Sequence, residues 1–218
     1  MTMYKAYKAR KEVKKWRDQY VPLAPKLGDV ATDFELHDVS GSNTIRLSDY
    51  RDKQPVALIF GSYTWPPFAD GTVSLRDIYE KYHNQVQFII IYIREAHPID
   101  GWWLGGGLFG LLLKIKGTKA IKDIYDPKTI DDRKQVASRC ESELDYGIPT
   151  LVDDIDDPAN RAYAATPTRM FLIGIDGRVV YAGGLGPWGF KPQELKNAIE
   201  KMLNKHSWKI YDTEALNY

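Results

Sequence analysis

The stretch LIFGSYTWPPFAD, residues 58–70, joins an apolar run to a helix start, and such a junction can activate a nucleophile. Pro66 and Pro67 suit the first turn of a helix, where a missing backbone N–H does no harm. The partial positive charge of a helix N-terminus favours a thiolate or selenolate and lowers the pKa of a thiol there. A dithiol oxidoreductase carries Cys-x-x-Cys across this turn, but this chain has WPPF, with Trp65 and Phe68 in the two cysteine places. The turn could therefore activate a nucleophile, but the residue at that position, Trp65, is not a nucleophile.

Three other side chains are candidates for chemistry. Glu95 and His97 lie in EAHPIDGW, directly after an apolar run, and Arg169 begins another such run. His97 is a functional candidate because of this position, whereas the remaining three histidines are expected to be ordinary polar residues. Glu95 could equally be a plain strand-end carboxylate, and Arg169 could pair with an acid at a strand edge.

The single cysteine, Cys140, excludes an internal disulfide and a Cys-rich metal site, and it fits a reducing compartment. It shares one helical face with Val136, Ala137 and Leu144, so we expect a buried structural residue. No metal site is predicted, since the acidic run DDIDDP, residues 153–158, lacks the spaced ligands of a calcium loop. That run is expected to be solvated.

The elements that must position these residues alternate between strands and helices. Residues 33–50 predict a hairpin, and PVALIF and VQFIIIYI predict two strands buried on both faces. A helix is expected from Pro66 to about Tyr82, another over residues 131–145, and a third strand in PTLVDD. Asp176-Gly177 predicts the turn of a second hairpin, and residues 191–203 a closing helix. The inward residues of the first helix are expected to be Val73, Leu75, Ile78 and Tyr79.

This order predicts an α/β, thioredoxin-like fold with an N-terminal β-hairpin and a central mixed sheet flanked by helices. A right-handed crossover in the first β-α-β unit brings Thr64 to Pro67 to the carboxyl end of the central strand, where function is expected. Thr166-Pro167 precedes a later strand, at the place where thioredoxin-like proteins keep a cis-proline facing the nucleophile. Pro167 is therefore a candidate site residue.

The predicted organisation has a central domain with two extensions. Residues 1–28 form a basic helix and linker, 29–204 the domain with a Gly/Leu-rich insertion at 103–130, and 205–218 a tail. The basic helix is either a solvated helix lying on the domain or a contact for an anionic membrane or acidic partner. The insertion is either a loop and helix tucked against the domain, a lid over an aromatic substrate, or a patch that meets a membrane or a partner.

Composition excludes several classes of function. A formal net charge of +1 gives no reason to expect nucleic acid as a partner. The first 20 residues are too charged for a signal peptide, and no run approaches the roughly 20 apolar residues that span a bilayer. A cytoplasmic protein without a transmembrane segment is expected.

Three segments resemble the iodothyronine deiodinases. FGSYTWPPF is similar to the family's active-site motif, in which selenocysteine stands where Trp65 does. IYIREAHPIDGW resembles the family's second motif, with its functional Glu and His, and residues 169–187 resemble its C-terminal strand pair and Gly-rich turn. The likeness runs from about residue 30 to residue 203.

The resemblance implies a selenoprotein oxidoreductase that dehalogenates an iodinated aromatic, such as thyroxine, by a selenolate or thiolate at position 65. A thiol cosubstrate would regenerate the selenolate or thiolate after each reaction, and no other cofactor is implied. His97 would supply or relay a proton, Glu95 would orient His97, and Arg169 would hold the substrate carboxylate, with Thr64 and Pro167 beside the substrate. A homodimer is also implied. A peroxiredoxin-like peroxidase and a redox-silent binding protein are the alternatives.

The chain departs from the family pattern at Tyr63, where a cysteine is common, and near Pro127, where a second histidine is expected. Its insertion is also longer than the family pattern predicts.

Trp65 has three interpretations. Since UGA encodes selenocysteine and some genetic codes read it as tryptophan, Trp65 can stand in for selenocysteine; otherwise it is a genuine tryptophan in a redox-silent homologue, or a structural aromatic. An indole at this helix start has no evident packing role, which favours the first interpretation.

Overall fold

The computed structural model describes residues 3–101, 107–115 and 123–214. The strands there are β1 Glu35–Asp38, β2 Thr44–Arg46, β3 Val56–Gly61, β4 Gln87–Tyr92, β5 Thr150–Val152, β6 Arg169–Ile173 and β7 Val179–Ala182. The helices are α1 Met3–Tyr20, α2 Pro66–Tyr82, α3 Gly107–Ile115, α4 Ile130–Leu144, α5 Pro158–Tyr163 and α6 Pro192–Glu214. Short 3-10 helices cover Val21–Leu23 and Leu47–Tyr50.

One mixed sheet holds all seven strands of the described residues, in the order β2-β1-β5-β4-β3-β6-β7. β3, β4 and β5 run parallel, and every other neighbouring pair is antiparallel. Both predicted hairpins form, β1 with β2 and β6 with β7. The predicted thioredoxin-like fold is confirmed.

β3 is an interior strand between β4 and β6, and its whole length is buried. Its alternate residues face two separate cores, as expected for a strand covered on both faces. Ala57 and Ile59 contact the core formed with α2, α4 and α6. Leu58 and Phe60 face a second core that includes residues of α5. With both faces covered by apolar packing, the carboxyl end of β3 is held rigidly.

Helix α2 begins where the two prolines predicted, with Trp65 as its N-cap residue and prolines in its first turn. The predicted inward face was wrong at Val73, which is 47% exposed. The buried face instead runs at spacings of three and four through Phe68, Thr72, Leu75 and Ile78. Val73 directly follows Thr72, so a turn of about 100° carries it off that face.

Two other expectations need correction. Helix α6 reaches Glu214, so residues 205–214 of the predicted tail are helical. The acidic run is not uniformly solvated, because Asp153 and Asp157 are buried. Asp157 Oδ1 accepts a hydrogen bond of 2.9 Å from the buried Arg133 guanidinium, which α4 directs into this loop.

Cys140 is fully buried on the inner face of α4, as predicted. Burial raises the pKa of its thiol well above the ordinary value. Part of the predicted insertion, residues 103–106 and 116–122, lies outside the described residues. None of the helices described is both long enough and apolar enough to cross a bilayer.

Candidate active site

The turn between β3 and α2 is built by close packing at the end of the strand. A Cβ on Gly61 would lie 2.2 Å from the Phe68 ring, so only glycine lets that ring pack on the strand end. The Trp65 N–H donates to the Ser62 carbonyl at 3.2 Å, and the Trp65 carbonyl accepts from Ala69 at 3.0 Å. Residue 65 is thereby fixed at the start of the helix.

Thr64 joins the turn to the segment after β4. Its hydroxyl donates to Glu95 Oε2 at 2.6 Å, and its backbone N–H donates to the same oxygen at 3.0 Å. The backbone N–H of His97 donates to Thr64 Oγ1 at 3.0 Å. All three residues are buried. The predicted site residues Thr64, Glu95 and His97 therefore form one continuous hydrogen-bonded group.

The second carboxylate oxygen of Glu95 is bound by Tyr92. The Tyr92 hydroxyl donates to Glu95 Oε1 and accepts a hydrogen bond of 3.2 Å from the Tyr63 N–H. Burial raises the pKa of the Glu95 carboxyl, while hydrogen bonds from Thr64 and Tyr92 oppose that rise. In these hydrogen bonds the Glu95 carboxylate binds Thr64 of the turn and Tyr92, not the His97 ring. Glu95 therefore positions the backbone directly before residue 65.

The side chain at position 65 is directed at His97. The Trp65 and His97 rings are stacked, with centroids 5.4 Å apart and planes 26° apart. A second neighbour is Gly186, where an added Cβ would lie 3.3 Å from Trp65 Nε1. The expectation that this indole has no packing role was wrong, since it packs against both residues. Its Nε1 is buried and has no hydrogen-bond partner among the described residues.

The loop before β6 lies beside the same turn. The Thr166-Pro167 peptide bond is cis, as predicted. The Thr168 hydroxyl donates to the Phe60 carbonyl in β3 at 2.6 Å, and the Thr168 carbonyl accepts from Gly186 N at 3.1 Å. Thr168 thus connects the strand that carries the turn to the loop that packs on Trp65.

Arg169 lies opposite Phe60 in the β3–β6 register, at the same edge of the sheet. Its Nε donates to the Gly183 carbonyl at 2.8 Å and its Nη1 to the Tyr163 carbonyl at 3.0 Å. The guanidinium carbon lies 4.8 Å from the centroid of the Phe171 ring. Burial lowers the pKa of Arg169, and no carboxylate of the described residues forms an ion pair with it. The alternative role, a pairing with an acid at the strand edge, is therefore not seen among the described residues, and Nη2 has no hydrogen bond to a described residue.

Sequence reasoning missed several residues that shape this site. Tyr92 could have been found, because a tyrosine at the end of a buried strand needs a partner for its hydroxyl. Gly186 and Thr168 carry no local signal. Arg17 in α1 is also unexpected: its Nη2 donates to the Gly186 carbonyl at 2.9 Å. The N-terminal helix is thereby tied to the loop that packs on Trp65.

Among the described residues, no group of three His, Cys, Asp or Glu side chains is placed to hold a metal ion.

Comparison with known proteins shows the family of this chain. A sequence model described as iodothyronine deiodinase matches residues 5–203. The chain belongs to the iodothyronine deiodinase family. It is 32% identical over 179 residues to a thyroxine 5-deiodinase of Sparus aurata, covering 82% of this chain and 61% of that protein. It is 30% identical over 176 residues to a type I iodothyronine deiodinase of Xenopus laevis, covering 80% and 63%. The chain thus spans about three fifths of the length of these curated relatives.

Solved structures show the fold of this deiodinase-family chain. A thiol:disulfide interchange protein from a Bacteroides species aligns with a TM-score of 0.56 at 15% identity, covering 83% of this chain and 91% of that one. The thioredoxin domain of a thiol-disulfide oxidoreductase from Bacteroides vulgatus aligns with a TM-score of 0.54 at 15% identity, covering 82% and 98%. These structures share the thioredoxin-like fold that was predicted from the sequence.

Proposed function

We propose that this protein is a deiodinase-type oxidoreductase whose native residue 65 is selenocysteine, or a cysteine in its place. One observation carries the proposal: the side chain at position 65 starts helix α2 and faces the His97 imidazole. A helix N-terminus favours a selenolate, and an imidazole titrates near neutral pH. These are the two groups that a reductive dehalogenation needs.

The proposed reaction removes iodine from an iodinated phenol ring. The selenolate attacks iodine, so that the carbon–iodine bond breaks, a selenium–iodine bond forms, and the ring carbon takes up a proton. One thiol displaces iodide from selenium, and a second thiol releases the selenolate as the two thiols become a disulfide. The net change is reduction of the aryl iodide to an arene and iodide, with oxidation of two thiols.

The surrounding residues have separate roles in this proposal. His97 supplies the proton, since its ring is stacked on the side chain of residue 65. Thr64 and Glu95 position the turn and the His97 backbone. Arg169 binds a substrate carboxylate through Nη2, because Nε and Nη1 are already held by backbone carbonyls. The relatives are named for thyroxine and iodothyronine, and we propose an iodothyronine-like aromatic as the substrate class.

Iodide release tests the proposal. The Trp65→Cys protein is incubated with thyroxine and dithiothreitol, and iodide is measured against the unchanged chain and Trp65→Ser. Release by the cysteine variant alone supports the proposal, and adding His97→Ala should lower that rate by roughly a hundredfold or more. Equal release from Trp65→Cys and Trp65→Ser contradicts it. Consumption of peroxide in place of iodide release would instead indicate the peroxidase alternative.

One observation favours a second function, a redox-silent binding protein. The indole of Trp65 packs against His97 and Gly186, as expected for a tryptophan that is native to this position. The codon for residue 65 separates the two functions: UGA in a genome that inserts selenocysteine supports the enzyme, and UGG supports the binding protein. A cytoplasmic location and a homodimer are further proposals, which fractionation and analytical ultracentrifugation would test.

A further inference from the structure

Asn160 is a fully buried polar residue of helix α5 that contacts the loop before β6. Its Oδ1 accepts a hydrogen bond of 2.9 Å from the Thr166 hydroxyl, whereas its Nδ2 has no partner among the described residues. Its backbone carbonyl accepts a hydrogen bond of 3.0 Å from the Ala165 N–H. Both contacts go to the residues directly before Pro167. Asn160 therefore holds the start of the loop that contains this proline.

The backbone of Asn160 is itself fixed by the buried carboxylate of Asp153. Asp153 Oδ2 accepts from the Asn160 N–H at 2.8 Å, and Oδ1 accepts from the Ala159 N–H at 3.1 Å. Asp157, directly before α5, binds the buried Arg133 of α4. The start of α5 is thus fastened both to the loop after β5 and to α4. A side chain on such a support can hold its partner in one place.

The loop that Asn160 holds lies beside residue 65 at Thr168. The Gly186 N–H donates to the Thr168 carbonyl at 3.1 Å. A Cβ added to Gly186 would lie 2.7 Å from Thr168 Cγ2 and 3.3 Å from the Trp65 indole. Thr168 and the side chain of residue 65 therefore lie against the same glycine, two residues after the hydroxyl that Asn160 binds.

Helix α5 contacts Arg169 in a different way. The Arg169 Nη1 donates to the backbone carbonyl of Tyr163, the last residue of α5. Neither this contact nor the one from Arg169 Nε to Gly183 uses the side chain of Asn160. A change of the Asn160 side chain therefore leaves the partners of the guanidinium in place. The two contacts of α5 with the candidate site can be separated by mutation.

We propose that Asn160 is a positioning residue of the candidate active site: by holding Thr166, it keeps the loop of residues 166–168 against residue 65 and so keeps residue 65 aligned with His97. This inference rests on the deiodinase-type reaction proposed above. Asn160 transfers no proton and does not touch the substrate. Its loss disturbs the alignment of the reacting groups and spares the contact with the substrate carboxylate, so kcat falls and KM changes little.

Hydrogen exchange of the Gly186 amide tests the anchoring of the loop without any turnover. Thr166→Val removes the hydroxyl from a half-buried residue and keeps its size, so the fold is retained. Exchange of the Gly186 amide should become about fivefold faster, the factor that corresponds to one typical hydrogen bond. Thr166→Ser keeps the hydroxyl and should exchange like the unchanged chain. Adding Asn160→Ala to Thr166→Val should produce no further acceleration of this amide, because the two residues share one contact.

Ile173→Val is the matched control for a loss of stability alone. Ile173 is buried at the opposite end of β6 from Arg169, and loss of a buried methylene costs about as much as loss of one hydrogen bond. The Gly186 amide should exchange at the unchanged rate in this variant, since the local opening of the loop does not involve Ile173.

Steady-state kinetics of iodide release in the Trp65→Cys background tests the alignment. Asn160→Ala and Thr166→Val should each lower kcat about tenfold with KM for thyroxine within about twofold, and Thr166→Ser should restore kcat. Ile173→Val should leave both constants unchanged.

The proposal is overturned if Thr166→Val and Thr166→Ser show the same exchange at Gly186, or if KM rises while kcat is kept. If Trp65→Cys releases no iodide, the proposed function fails; faster exchange in Thr166→Val then still supports the anchoring of the loop, and an unchanged rate overturns it.

Discussion

The Trp65 indole and the His97 imidazole lie nearly face to face, with ring centroids 5.4 Å apart. This stacking fixes the direction of the residue-65 side chain, and any smaller side chain there would leave space beside an imidazole. A nucleophile placed there would stand at the start of α2, on the residue whose present side chain contacts the imidazole. Position 65 is thus the point at which the chemistry of this site can be tested directly.

Trp65→Cys should produce a thiol with a pKa below about 8.5, the value of a free cysteine. The helix N-terminus and a protonated His97 both stabilise the thiolate. The pH dependence of alkylation by iodoacetamide measures this pKa. Cys140 should not interfere, because it is fully buried and burial raises its pKa.

The matched variant for this measurement is Trp65→Cys combined with His97→Asn. Loss of the imidazole should raise the thiol pKa toward that of a free cysteine, while the helix N-terminus stays in place. A thiol pKa that is ordinary in both variants would show that position 65 does not activate a nucleophile.

Thr64→Val should destabilise the fold by about 1–3 kcal/mol, because it removes a hydroxyl that satisfies buried groups on two sides. Glu95 loses a donor and the His97 N–H loses its acceptor, although the methyl groups fit the same space. Urea unfolding measures the change in free energy. Thr64→Ser retains the hydroxyl and should recover most of the loss; if serine and valine behave alike, the hydrogen bonds are not the cause.

The sequence was sufficient to predict the central strands, because a continuous apolar run as short as residues 55–60 is typical of a strand buried on both faces. It also predicted that α2 begins after Trp65, since proline is tolerated in the first turn of a helix. Both elements are determined by residues that are adjacent in the sequence, so they can be predicted without knowledge of tertiary contacts.

The contacts that complete the site could not be predicted, because they join residues far apart in sequence. Arg17 reaches Gly186 across 169 positions, and Thr168 reaches Phe60 across 108. The acidic run was mispredicted for the same reason. Nothing near Asp157 in sequence indicates that Arg133 is buried against it.

Arg17→Ala should loosen the loop that packs on Trp65. Removal of the hydrogen bond from Arg17 to the Gly186 carbonyl lowers the stability of this contact by about 1 kcal/mol, which increases opening of the loop severalfold. Hydrogen exchange of the Gly186 amide, which donates to Thr168, reports that opening. Lys15→Ala removes an exposed cation from the same helix and should leave the exchange rate unchanged. Equal rates in the two variants would contradict a role for Arg17 in holding the loop.

Stability should fall with rising pH because of Asp153. Burial raises the pKa of this carboxyl from 3.8 to about 7, against backbone N–H groups of Ala159 and Asn160 that favour the carboxylate. The folded state therefore binds the proton more tightly than the unfolded state, so the stabilisation is complete below pH 3.8 and is lost as pH rises through about 7. Urea unfolding across this range should show the decline in the unchanged chain and a shallower decline in Asp153→Asn, because burial also raises the pKa values of Glu95 and Asp157. The exposed neighbour variant Asp154→Asn should keep the full decline, and a slope that Asp153→Asn leaves unchanged would assign the titration to another group.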